Sequence, residues 1–151
     1  MEITRHFTAT TFVVHNEKTL LHKHRTLDMW LPPGGHIDRD ELPEVAAVRE
    51  VQEETGLEVE LIHDPPLIQS ENARELPKPW HILLENINPH HQHIDLIYFA
   101  QARSADFVPE ENDIQMAWFS KEELAQSEIP EDIRKLGLEA IGVVGKLDGR
   151  R

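Results

Sequence analysis

The chain has 151 residues, 39% of them hydrophobic and 28% charged, which suits one folded domain spanning 1–151 and excludes a disordered chain. A net charge of −13 argues against unaided binding to long nucleic acids, where Lys and Arg must neutralise phosphates. With no cysteine, disulfides and thiolate metal sites are excluded, and a reducing cytoplasm is the expected location.

The N-terminal MEITRHF lacks the basic and apolar regions of a signal peptide. No apolar run approaches the roughly 18 residues that suggest a membrane span. Thr8 to Val14 is β-branched and apolar and is predicted to be a strand. His15-Asn16-Glu17-Lys18 reads as a polar turn, and Leu20 to Arg25 as the partner strand, with Lys23 and Arg25 on the side opposite His22 and His24. Met29-Trp30-Leu31 then leads into Pro32-Pro33-Gly34-Gly35, where the prolines stiffen the approach and the glycines allow positive φ or a close contact with a phosphate.

From Pro43 to Thr55 nothing breaks a helix. Pro43 fits a first helical position because it has no N–H to leave unbonded, and Gly56 sits where a C-terminal cap belongs. Leu42 is a poor N-cap, so Asp40 is the expected cap. At about 100° per residue, Val48, Val51 and Thr55 share one face, and Glu50, Glu53 and Glu54 share the opposite one. Each like-charged pair weakens an isolated helix by a few tenths of a kcal/mol. A hard divalent cation among them would make sense of the arrangement, since Mg²⁺ takes oxygen ligands and shares its shell with substrate phosphates. A solvated acidic face is the plainer alternative.

Beyond Gly56, Leu57 to Ile62 and His81 to Ile87 read as strands, separated by a polar, proline-rich loop over His63 to Pro79. Pro89 to Asp95 carries His90, His91 and His93. Successive strand residues point to opposite faces, so at most two of these share a face, and no thiolate can complete a set. Bound zinc is therefore not expected here; a substrate-facing histidine or Asp95 is. Ile94 to Ala102 reads as a central, buried strand, Phe107 to Asp113 as a loop and Ile114 to Phe119 as a last strand. Ser120-x-x-Glu123 is a capping box. Ile133, Leu136, Gly137, Ala140, Ile141 and Val144 recur at helical spacing, before a basic tail over Lys146–Arg151.

The series Gly35, Glu41, Arg49, Glu50, Val51, Glu53, Glu54, Gly56 and Leu57 resembles the complete box of the Nudix hydrolases. Trp30 with LPPGG before it, and Trp118-Phe119-Ser120 near the end, are also similar to that family. The resemblance implies an α/β/α sandwich with a mixed β-sheet and a loop–helix–loop catalytic motif. It implies Mg²⁺-dependent hydrolysis of a diphosphate linked to another moiety, with Mn²⁺ as an alternative ion. The substrate is expected to be a small nucleotide or another diphosphate. Oligomeric state stays open, a homodimer among the options. Glu50, Glu53 and Glu54 are the implied metal ligands. Glu53 or a carboxylate outside the box is the implied base, Glu54 belongs to the catalytic set, and Arg49 orients the carboxylates. Gly34, Gly35, Lys23 and Arg25 are the candidate substrate contacts. Glu111 is the candidate extra carboxylate, and Glu41 the support of the loop. A regulator that senses a nucleotide without hydrolysing it is the rival reading. Isomerisation of an allylic diphosphate ranks lower, because it would call for a cysteine.

Overall fold

The computed structural model describes residues 2–126 and 128–148, so the end of the basic tail, 149–151, lies outside the described residues. Two long strands organise the chain, β1 (Thr4–His15) and β7 (His91–Ala102), with β2 (Lys18–His24), β3 (Met29–Leu31), β4 (Gly34–His36), β5 (Val59–Leu61) and β6 (His81–Asn88) between them in sequence. They pair in parallel from Thr4 opposite His91 to Val14 opposite Gln101. Both are longer than their apolar runs suggest, because this pairing carries the strands through polar residues of low strand propensity.

The sheet is mixed. β2 and β4 lie antiparallel to the other edge of β1, β5 and β6 pair antiparallel to β7, and β3 and β8 (Met116–Ser120) pair with β2. The turn between β1 and β2 is tight: Asn16 and Glu17 have φ of 52° and 62°. Two positive φ values in a two-residue loop make the turn whose twist matches the flanking strands. The stretch before the expected helix is sheet rather than loop, since β4 pairs Gly34 with Thr10 and Gly35 with Ala9.

Helices cover both faces. α1 (Pro43–Thr55) packs Ala46 and Ala47 against Ala9 and Tyr98, and Val51 against Val13, Leu20 and Leu57. Its buried stripe is therefore Ala46, Ala47, Val51 and Thr55, and Val48 is only half-buried. On the opposite face, α3 (Glu131–Asp148) sets Ile133, Leu136, Ala140, Ile141 and Val144 over Phe12, Val14, Ile97 and Phe99. Lys146, expected in a tail, belongs to this helix. Each fully buried aromatic or aliphatic side chain in that layer contributes about 1.5–3 kcal/mol. The short α2 (Lys121–Gln126) follows the capping box: Ser120 N–H donates to Glu123 Oε1 at 3.1 Å, and Glu123 N–H to Ser120 Oγ at 3.2 Å. No described helix is long and apolar enough to cross a membrane.

The strained turn yields a test. Left-handed backbone costs a non-glycine residue roughly 1–2 kcal/mol, and Asn-Gly is the favoured pair for this turn. Glu17→Gly should raise stability by up to about 1 kcal/mol, or about 2–4 °C in Tm for a chain of this size. Thermal unfolding followed by circular dichroism measures it.

Candidate active site

The site is assembled by α1 and the chain on either side of it. Leu42 is the N-cap residue, with extended backbone and no side-chain cap; Asp40 does not cap but takes a φ of 68° in the turn before it. Gly56 closes the helix in the left-handed region at φ 73°, its N–H donating to Gln52 O at 2.8 Å. Val108 N–H and Glu110 N–H donate to Thr55 O and Glu54 O, satisfying carbonyls that a helix end leaves free.

Arg49 holds the acidic residues together. Its Nε and Nη2 grip Glu41 at 2.7 and 3.0 Å, a two-pronged contact that fits a planar guanidinium to a carboxylate. Nη1 donates to Glu50 at 2.9 Å and to Glu53 at 3.2 Å, and Nη2 also donates to the His36 carbonyl at 3.1 Å. The Arg49 hydrogen bond is the main reason the Glu41 carboxyl is held below its usual range.

Glu50 and Glu54 are not on a solvated face. They tuck beneath β4, and Glu53 alone of the three is well exposed, at 53% of its side chain. Burial pushes Glu50 up, against the pull of Arg49. Burial also pushes Glu54 up to about 8, with Glu50, Glu110 and Glu53 adding repulsion, although Gly34 N–H donates to its Oε2 at 2.9 Å. These groups can accept positive charge and protons, as a metal-binding or general-base cluster must.

Gly34 and Gly35 do not use positive φ. Their role is closeness: a Cβ on Gly35 would sit 2.6 Å from the Glu50 carboxyl carbon, and one on Gly34 would sit 2.7 Å from Ala9 O and Thr10 Oγ1.

A cleft of 480 Å³ opens beside Gly34, Gly35 and Glu54. Its walls include His22 and His24, the face of β2 opposite Lys23 and Arg25. Lys23 instead pairs with Asp28 at 3.4 Å, and Arg25 pairs with both Glu111 and Asp113. Glu111 is thus engaged away from α1, and Glu110 is the loop carboxylate that reaches the field of Glu54. The cleft floor holds Asp95, singled out in the sequence, and Glu85, which sequence reading missed. Asp95, 3% exposed, accepts hydrogen bonds from Thr8 and Thr10, at 3.0 and 2.8 Å. Glu85 stands against it, and burial followed by the Asp95 charge lifts its carboxyl to about 8. A Glu on one strand facing an Asp on the next is visible only once β6 and β7 are in register.

The histidine run places two of its members, His91 and His93, on one face, as its spacing implies, and other strands add to them. His6 of β1 and His36 of β4 join them, with neighbouring ring centroids 4.6 to 5.2 Å apart.

The model of the NUDIX domain matches residues 4–138. A NUDIX-family hydrolase from Clostridium perfringens is 35% identical, with a TM-score of 0.83, and the match covers 94% of this chain and 99% of that one. The chain belongs to the NUDIX family of hydrolases. A MutT NUDIX hydrolase from Burkholderia pseudomallei shares the fold at 21% identity and a TM-score of 0.62, covering 93% and 98% of the two chains. The m7GpppN-mRNA hydrolase NUDT17 of Xenopus laevis is 37% identical over 78 residues; the match covers 43% of this chain and only a quarter, 25%, of that protein. Enzymes of this family generally use divalent metals.

Two outcomes follow from the geometry. Gly35→Ala must displace the Glu50 carboxylate, so catalytic rate should fall well beyond any loss in Tm; equal losses would make Gly35 merely structural. Glu85 is protonated in the fold up to about 8, whereas an unfolded Glu ionises near 4.3. The native state therefore binds the extra proton between those values, and stability falls as pH rises through that window. Glu85→Gln should flatten that fall, raising Tm relative to the parent more at pH 8 than at pH 5.

Proposed function

We propose that the chain, 1–151, is a single Nudix domain that hydrolyses a pyrophosphate bond with Mg²⁺. The substrate would be a nucleoside diphosphate linked to another moiety, or a nucleoside triphosphate. The observation that carries this reading is the gathering of Glu50 and Glu53 around Arg49, with Glu54 in their field and raised to about 8. Crowded carboxylates with elevated proton affinity are suited to a hard cation, which takes oxygen ligands. The cleft gives a second reason: among the described residues lining it there is no Lys or Arg. Diphosphate charge entering there needs a cation that side chains do not supply.

Glu50, Glu53 and Glu54 would hold Mg²⁺, or Mn²⁺ in its place. When bound, the ion neutralises diphosphate oxygens and acidifies a water. Arg49 keeps Glu50 and Glu53 at fixed separation, and Glu41 anchors Arg49 to the loop. Gly34 N–H fixes one Glu54 oxygen. Glu53, the most exposed of the three, accepts the proton of the attacking water. The acidic floor of Glu85 and Asp95 offers acceptors and one shared proton to a neutral part of the substrate, such as sugar hydroxyls or a base edge. The regulator reading leaves the full carboxylate set without a task.

Two experiments test this. In a screen of nucleoside triphosphates, sugar nucleotides, dinucleotides and capped dinucleotides with Mg²⁺ or Mn²⁺, at least one should turn over, with cleavage at a phosphoanhydride. No turnover of any would favour the regulator. Glu54→Gln keeps shape and removes charge, so its rate should fall by about 10² or more, the scale of a principal electrostatic contribution, while the fold survives. Near-full activity at saturating Mg²⁺ would show that Glu54 is not a ligand.

A further inference from the structure

Along β7 alone only two histidines, His91 and His93, share a face. Sheet register adds the rest. Parallel pairing sets His6 opposite His93, which leaves His91, two residues earlier on β7, on the same face. Antiparallel pairing sets His36 opposite Thr8, two residues from His6, and so on that face as well. Three strands thus deliver imidazoles to one spot at the lip of the cleft.

Their ring nitrogens are close enough to share an ion. One nitrogen from each of His6, His36 and His91 lies within 4.8 Å of the other two. His6 Nδ1 and His36 Nε2 are 3.3 Å apart. In a tetrahedral site with metal–nitrogen bonds of about 2.0–2.1 Å, ligand nitrogens lie roughly 3.3–3.4 Å from each other. The rings meet edge to face rather than stacking, at 69° for His6 with His36 and for His6 with His91. His91 has the partner that a ligating histidine needs. The Thr4 hydroxyl donates to the His90 carbonyl at 3.2 Å, so its oxygen is left to accept from His91 Nδ1–H, 2.9 Å away. That fixes the tautomer and leaves the Nε2 lone pair free. Arg49, bonded to the His36 carbonyl, holds the backbone of the second ligand.

We propose that His6, His36 and His91 form a second metal site, for a borderline divalent ion such as Zn²⁺, separate from the carboxylates of α1. The chemistry separates the two: imidazole nitrogens suit zinc-class ions, and carboxylates suit Mg²⁺. Three protein ligands leave a fourth position for water, the arrangement of an open rather than a closed zinc site. Because His36 follows Gly35 on β4, an ion here ties β1, β4 and β7 together next to the loop that cradles Glu50.

Untagged, metal-free protein is titrated with Zn²⁺ by calorimetry and with Co²⁺ by visible absorption, both in excess Mg²⁺ to occupy the carboxylates. One equivalent of Zn²⁺ should bind, and Co²⁺ should give the intense bands of a low-coordinate ion. Both signals should survive in Glu54→Gln and vanish in His6→Ala and His91→Ala. Circular dichroism of the metal-free variants establishes that they fold. Imidazole nitrogen NMR of the unaltered protein is the check that needs no variant: Zn²⁺ should shift His6, His36 and His91 together. No uptake of Zn²⁺ in Mg²⁺, or uptake lost in Glu54→Gln and kept in His6→Ala, would overturn the proposal.

Discussion

The guanidinium of Arg49 is the constraint on which the rest of the site depends. Three glutamates within five residues of one helix repel each other, and a loop carboxylate, Glu41, crowds them further. One cation answers three of the four, with contacts of 2.7 to 3.2 Å to Glu41, Glu50 and Glu53, and also to the His36 carbonyl. Most of this lies out of water: the Glu41 and Glu50 side chains are 13% and 15% exposed. Such charge-assisted bonds are about twice as strong as neutral ones, and breaking a buried set by removing one partner is strongly destabilising. The contacts also explain the spacing of the motif. The chain must leave β4, turn through Glu41 and re-enter as α1, so that Arg49 can reach both loop and helix.

The parallel pairing of β1 with β7 does the complementary work on the other face of the sheet. Along that face the pairs run from His6 with His93, through Thr8 with Asp95, to Phe12 with Phe99. The aromatic end lies beneath α3 and forms core. The polar end is left open and becomes the cleft floor. A single alternation along two strands therefore makes core at one end and the floor of the cleft at the other. The buried Asp95 is tolerable because two threonine hydroxyls and the Glu85 proton satisfy its oxygens.

What was legible in the sequence was local. The bounds of α1, its glycine cap, the Ser120–Glu123 box and the apolar stripe of α3 each depend on residues within one or two turns, and they fold as read. Partnerships set by register were not legible. Leu20 and Leu21 are both buried, so β2 gives no sign of which face lines the cleft, and His22 and His24, rather than Lys23 and Arg25, do. Glu110 and Glu111 are neighbours in a loop whose path is decided by the carbonyls of α1. Gly35 reads in the sequence as a place for positive φ or a phosphate contact, but its φ is not positive and its lack of a Cβ makes room for Glu50, on a different element. The four clustered histidines come from three strands, and no single stretch contains them.

The claim at the centre is that the α1 carboxylates, strained by their own crowding, are built for a divalent cation. Proton release on metal binding tests it most directly. At pH 7 a Glu54 held at about 8 is mostly protonated, and a cation can occupy the site only by displacing that proton. Calorimetric Mg²⁺ titrations in buffers of different ionisation enthalpy should therefore reveal proton release in the unaltered protein and none in Glu54→Gln. Mg²⁺ binding with no proton released, and with equal affinity in both proteins, would contradict it.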